Sequence, residues 1–202
     1  MSQTFEPRRL ARWTRTERAV HWVHATAFCV LLGSGLCLYL PSLSERISRR
    51  PLLKHIHLYT AVAWAVALVV IFLVGDRRSL LRLAREVDLL GVPSRMNRRQ
   101  KANTIITAAF AILFAVSGFD LWYGERDTRF RFANALLIHD WLMYISFFLF
   151  VGHLFYAVVL PSTRHSLNGM TRGWVWEDWA RYRHPEWVRA LRAERDAREA
   201  GG

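Results

Sequence analysis

Val62-Ala63-Trp64-Ala65-Val66-Ala67-Leu68-Val69-Val70-Ile71-Phe72-Leu73-Val74 decides the fold. The run is apolar on every side, with no polar stripe at the 3.6-residue period that a helix in water needs on its wet face. In hydrocarbon the backbone must satisfy its own hydrogen bonds, so a run of this kind forms a helix and lies in lipid.

Working outward, the 28 Lys and Arg residues fall in five blocks: five in 1–19, four in 41–56, eight in 76–101, three in 125–131 and eight in 161–202. The stretches between, about 20–40, 57–75, 102–124 and 132–160, hold no basic residue, and their only acids are Asp120 and Asp140. Each is close to the ~20 residues that span a bilayer as a helix. The expected fold is therefore all-α: an integral-membrane four-helix bundle over 1–161, with a cytoplasmic tail over 162–202. That tail holds an interfacial Trp-rich segment (Trp174, Trp176, Trp179, Trp187) and a helix over 188–200.

The averages conceal this segregation. A length of 202 residues with 52% apolar content excludes a disordered chain, and two cysteines exclude a disulfide scaffold. Cys29 and Cys37, eight apart in one span, read as packing residues. With the N-terminus inside, the inner segments carry 21 basic residues and the outer ones 7. The positive-inside rule thus sets both termini in the cytoplasm. The net charge of +12 is then explained by topology and anionic lipid, and implies no nucleic acid. No small-residue cleavage site follows Leu40, so the first span reads as retained rather than as a signal peptide.

The histidines carry the chemistry. An ionisable or ligating side chain inside a span is costly and marks function; the alternative is a neutral imidazole hydrogen-bonded between helices. His139 and His153 are 14 residues apart, and 14 steps of 100° come within 40° of four full turns. They share one helix face, about 21 Å apart along the axis. In the expected topology His57 opens the second span at the depth of His139, and His21 opens the first at the depth of His153. Two imidazoles facing each other at two depths are what two bis-imidazole haems need. His24 competes with His21, and His55 with His57; His165 and His184 lie past the last span and read as surface residues. The small residues Gly33-Ser34-Gly35, Ser117-Gly118 and Gly152 leave room for a flat ring or for a close helix. Asp120 and Asp140 read as interfacial residues toward the outer end.

Over nearly its whole length the chain resembles the cytochrome b (gamma) subunit of membrane-bound, quinone-linked formate dehydrogenase, a di-haem cytochrome b. The resemblance rests on Arg18-Ala19-Val20-His21-Trp22, His57, Asn97-Arg98-Arg99-Gln100-Lys101, Leu136-Leu137-Ile138-His139, His153-Leu154-Phe155-Tyr156, Ser166-Leu167-Asn168-Gly169-Met170 and His184-Pro185-Glu186-Trp187. It implies two haem b groups, one on His57 and His139 and one on His21 and His153. It further implies a quinone site (menaquinone or ubiquinone) at Asn97 and Gln100 beside the inner ligand His153. Arg99 stands where the family has Gly. Asn97, Gln100 and Lys101 offer donors for a quinone carbonyl, although Asn97 also suits a helix N-cap. The implied partners are an iron–sulfur (beta) subunit and, through it, a molybdenum or tungsten catalytic (alpha) subunit, in a bacterial inner membrane and in a complex that can form a higher oligomer. The di-haem cytochrome b of a hydrogenase or thiosulfate reductase predicts the same ligands with another electron donor. A metal or proton transporter using the His and Asp residues predicts a colourless protein.

Overall fold

The computed structural model describes residues 8–47, 49–88, 94–130 and 132–201. In chain order these form a short strand β1 (Arg9–Ala11) and helices α1 (Arg15–Tyr39), α2 (Pro41–Ile47), α3 (Arg50–Val74), α4 (Arg77–Glu86) and α5 (Arg98–Gly124). Helix α6 (Ala135–Leu154), α7 (Pro161–Arg164), α8 (Leu167–Arg172), strand β2 (Trp174–Trp176), α9 (Glu177–Arg183) and α10 (Pro185–Ala200) follow. Four helices, Arg15–Tyr39, Arg50–Val74, Arg98–Gly124 and Ala135–Val159, are long and apolar enough to cross a membrane. This is the all-helical, four-span fold that the charge pattern predicts.

The helices run past the basic-free stretches, because local chemistry and not hydropathy sets their ends. α1 opens with a capping box: Glu17 N–H donates to Thr14 Oγ1 (3.2 Å) and Thr14 N–H donates to a Glu17 carboxylate oxygen (2.7 Å). α3 starts seven residues ahead of His57, with Pro51 in its first turn, and stops at Gly75, whose N–H bonds Ile71 O at 2.9 Å. The last span leaves α6 through a π-helical turn, Phe155–Val159, in which Leu160 N–H reaches back five residues to Phe155 O, and Pro161 follows.

The residues group into two compact units. One consists of 19–75 and 106–154, the body of the apolar helices. Among the described residues α3 buries none of its own, and Val62, Val66, Val69, Phe72 and Leu73 are all exposed along it. Apolar exposure on this scale is a lipid-facing surface.

The second unit consists of the described residues within 1–18, 76–105 and 155–202. β1 and β2 pair antiparallel, Arg9 opposite Trp176 and Ala11 opposite Trp174. Val175, Ala180, Trp187 and Val188 form a small core, with Leu10, Trp179 and Leu191 packed on it. Of the tail tryptophans, Trp187 is buried, while Trp174, Trp176 and Trp179 are half-buried, with the Arg9 guanidinium 4.3 Å over the Trp174 ring. Gly173 closes α8 in the left-handed region (φ 87°), and its carbonyl accepts from the N–H groups of Arg12 and Trp13. A Cβ there would meet Trp13 O at 2.9 Å, so only glycine fits.

Candidate haem-ligand pairs and the loop before the third span

Within the helical unit the histidines come in facing twos. His57 on α3 and His139 on α6 have ring centres 6.3 Å apart. His21 on α1 and His153 on α6 have ring centres 6.4 Å apart. A metal bonded to one nitrogen of each ring, at about 2.0 Å with about 1.1 Å from nitrogen to ring centre, would set the centres up to about 6.2 Å apart. Both pairs lie close to that spacing. Among the described residues no group of three or more His, Cys, Asp or Glu is placed to hold a bare ion. A haem, whose macrocycle supplies four ligands of its own, would need only two protein nitrogens, and each facing pair could offer them.

The competitors His24 and His55 contact other aromatic rings. His24 stacks on Phe28 at 6.3 Å and tilts against Trp64 at 5.8 Å, while His55 stacks on Tyr59 at 5.7 Å. Of the small residues, Gly35 and Gly118 face imidazoles: a Cβ on either would sit 3.5 Å from the Cε1 of His57 or His139. Gly33 and Gly152 face open space. Asp120 is buried and its Oδ1 accepts from Phe132 N–H at 3.2 Å; Cys29 is exposed and both cysteines are free.

In the other unit, Asn97 and Gln100 form a second capping box: Gln100 N–H donates to Asn97 Oδ1 (2.9 Å) and Asn97 N–H to Gln100 Oε1 (3.1 Å). Both amide oxygens are thereby identified, because only an oxygen can accept from a backbone N–H. The amide nitrogens are the groups left over as donors. Arg12 Nη2 also reaches Gln100 Oε1 (3.3 Å), and Lys101 Nζ donates to Asp88 O at 2.6 Å, so the lysine is buried and engaged.

Around this box lies a polar network that sequence reading misses. Arg12, only 2% exposed, donates to Arg95 O (2.9 Å) and faces His184 Nε2 (3.1 Å). Arg95 grips Glu17 through Nη2 (2.8 Å) and Nη1 (3.1 Å), and Glu86 through Nε (2.9 Å). Its guanidinium lies 4.7 Å over the Trp13 ring. Burial alone would lower the Arg95 pKa, but its hydrogen bonds to Glu17 and Glu86 and their charges carry it above the usual value. Arg12 is pushed down to about 10 by burial and by the Arg95 charge, and still keeps its proton at neutral pH. His184, expected at the surface, is 6% exposed. Burial and then the charges of Arg12 and Arg183 push it down to about 3, so it is neutral and its Nε2 accepts from Arg12. One signal for this network was present in the sequence: Thr14-Arg15-Thr16-Glu17 is a capping-box pattern ahead of an apolar run.

Four long apolar helices bearing two metal-spaced imidazole pairs have the build of a membrane cytochrome of the b type. The chain belongs to the prokaryotic cytochrome b561 family, whose model matches residues 12–173. It is similar to the formate dehydrogenase cytochrome b556(fdo) subunit of Escherichia coli K12, at 26% identity over 91% of this chain and 93% of that one. It is also similar to the formate dehydrogenase cytochrome b556 subunit of Haemophilus influenzae, at 22% identity over 90% of this chain and 83% of that one.

Proposed function

We propose that this chain is the membrane cytochrome b subunit of a formate:quinone oxidoreductase, carrying two b haems, one on His57 and His139 and one on His21 and His153. The observation that carries the reading is that each pair brings imidazoles from two helices together, 6.3 and 6.4 Å between ring centres, close to what a metal held between them would need. The names of the Escherichia coli and Haemophilus influenzae relatives support formate as the electron source. Bound between these imidazoles, haem supplies one-electron transfer with an iron closed to oxygen by two strong-field ligands. The chain's own residues fix where each group sits: His139 and His153 set the ~21 Å stagger on one rigid helix face, while His57 and His21 close each site from another helix. Gly35 and Gly118 keep the approach to the first pair open.

The quinone site belongs to Asn97 and Gln100. With both amide oxygens committed to the capping box, Asn97 Nδ2 and Gln100 Nε2 remain to donate to a quinone carbonyl. Lys101, held by Asp88 O, adds positive charge close in sequence to these donors. Reduction to quinol consumes two protons, which in the N-in, C-in topology of a bacterial inner membrane are drawn from the cytoplasm. An iron–sulfur subunit and a molybdenum or tungsten subunit complete the complex.

A reduced-minus-oxidised spectrum and an iron assay test the haem reading. Expected are b-type bands and two irons per chain, with His139→Ala removing one component and His153→Ala the other. Iron well below two, or His24→Ala acting in place of His21→Ala, overturns the assignment. Formate reduces the bands in membranes if the donor is as proposed; reduction by hydrogen instead identifies a hydrogenase subunit. For the quinone site, Asn97→Asp keeps the capping oxygen and removes the amide donor. It is expected to leave the helix intact while weakening quinol formation at least about tenfold, since a site built to bond a polar group discriminates strongly. Unchanged quinol formation places the site elsewhere.

A further inference from the structure

The two histidine pairs are not held alike. Ser34 Oγ lies 2.9 Å from His57 Nδ1, and Ser117 Oγ lies 2.8 Å from His139 Nδ1. A serine hydroxyl has one proton, and in both cases it is already directed to the backbone. Ser34 Oγ donates to Val30 O at 2.7 Å, with Leu31 O at 3.2 Å, and Ser117 Oγ donates to Leu113 O at 2.7 Å, with Phe114 O at 3.4 Å. Helical serine commonly bonds back to the carbonyl one turn earlier in this way. With its proton so used, each oxygen can meet an imidazole nitrogen only as acceptor, so Nδ1 of His57 and of His139 carries the hydrogen and donates it, the His57 ring bonding the Leu31 backbone as well. The lone pair of each ring is thereby left on Nε2.

The same two-residue unit, Ser followed by Gly, serves both rings: Ser34-Gly35 on α1 for His57 and Ser117-Gly118 on α5 for His139. The serine is buried against Nδ1, and the glycine leaves 3.5 Å of clearance at Cε1. The other pair lacks this device: His21 Nδ1 is buried with no hydrogen-bond partner among the described residues.

We propose that Ser34 and Ser117 are positioning residues that fix the tautomer and ring plane of His57 and His139, and that they make this iron site more electron-rich than the site at His21 and His153. A hydrogen bond from the outlying nitrogen raises the basicity of the ligating one and favours the ferric state. The two sites are therefore inequivalent by construction, with the His57–His139 site held at a lower potential than its imidazoles alone would give. The inference rests on the reading of these histidines as haem ligands.

The test is a redox titration of the purified complex with low-spin ferric EPR, on wild type, Ser34→Ala, Ser117→Ala, the double variant and Ser117→Thr, with His139→Ala identifying which component is which. Each alanine variant is expected to shift the ferrous-to-ferric ratio of the His57–His139 component toward ferrous by about two- to tenfold, the range of one neutral hydrogen bond. Tenfold corresponds to about 59 mV for a one-electron couple. The double variant shifts it further, Ser117→Thr, which keeps a hydroxyl, restores it, and the His21–His153 component stays in place. Selective loss of the first component, restored by threonine, equally supports the proposal. Alanine variants that keep both haems with unmoved potentials and EPR signals, or that move both components alike, overturn it. A wild type lacking two b-type components overturns the ligand reading, and this inference with it.

Discussion

His184 gives the second unit a pH dependence that can be worked out from its surroundings. Buried, and faced by Arg12 Nη2 at 3.1 Å, the ring stays neutral in the fold down to about pH 3. Released into an unfolded segment, it takes a proton below its ordinary value near 6.5. Between those limits the opened state binds one more proton than the closed one, so stability rises with pH and falls on acidification, by about 1.4 kcal/mol per pH unit. Going from pH 7 to pH 5 crosses about 1.5 units of that window and removes about 2 kcal/mol. The assay is hydrogen exchange of the amides of 174–188 in detergent, converted to opening free energies after correction for intrinsic exchange rates, in wild type and in His184→Gln. Glutamine offers Arg12 an oxygen where the imidazole offers Nε2, without titrating. Wild type should lose about 2 kcal/mol more than the variant over this range. Equal losses in the two proteins would show that His184 is not held neutral by Arg12 and burial, and would refute the reasoning.

Arg95→Met leaves Glu17, itself 4% exposed, without its cation, and should cost the unit about 3–5 kcal/mol; adding Glu17→Gln should return part of that loss, both read as thermal stability in detergent. Gly173→Ala combines a left-handed φ with a Cβ 2.9 Å from Trp13 O and should destabilise by about 2 kcal/mol or more, seen as faster exchange at Arg12 and Trp13. Asn97→Ala removes a capping box and should cost about 1 kcal/mol, read as lost protection in the first turn of α5. Gly118→Ala should leave both b-type components in place, because its Cβ meets His139 Cε1 at an ordinary 3.5 Å, whereas Gly118→Leu should remove the His57–His139 component from the spectrum.

The membrane helices were legible because hydrocarbon constrains every position of a span, so that Val62 to Val74 alone excludes a wet face. The histidine pairs were legible because a rigid helix turns a spacing of 14 into a shared face. The second unit was not, for definite reasons. Its sheet has two three-residue strands from opposite ends of the chain, too short to show a period of two. Arg12 and Arg95 look like two more members of a basic, topology-setting population, and nothing local distinguishes them from Arg8 or Arg98. What buries them is Trp13 and Glu17, Glu86 and His184 arriving from three separate stretches of chain. His184 lies past the last span, a position that suggests the surface; its burial comes from packing with Arg12 and Trp179.

Ser34 and Ser117 are a subtler case, since from sequence alone they suggest only small residues that leave room for a ring or a close helix. Any serine within a helix has a carbonyl one turn back to bond, so the direction of its hydroxyl proton is predictable from the helix alone. The ring that meets the remaining lone pairs is not, because it depends on the rotation of α1 against α3 and of α5 against α6. Once those rotations are fixed, the same back-bond that makes serine unremarkable in a helix leaves its oxygen to accept from Nδ1 of His57 and of His139, and so leaves Nε2 as the nitrogen that the proposed haem would take.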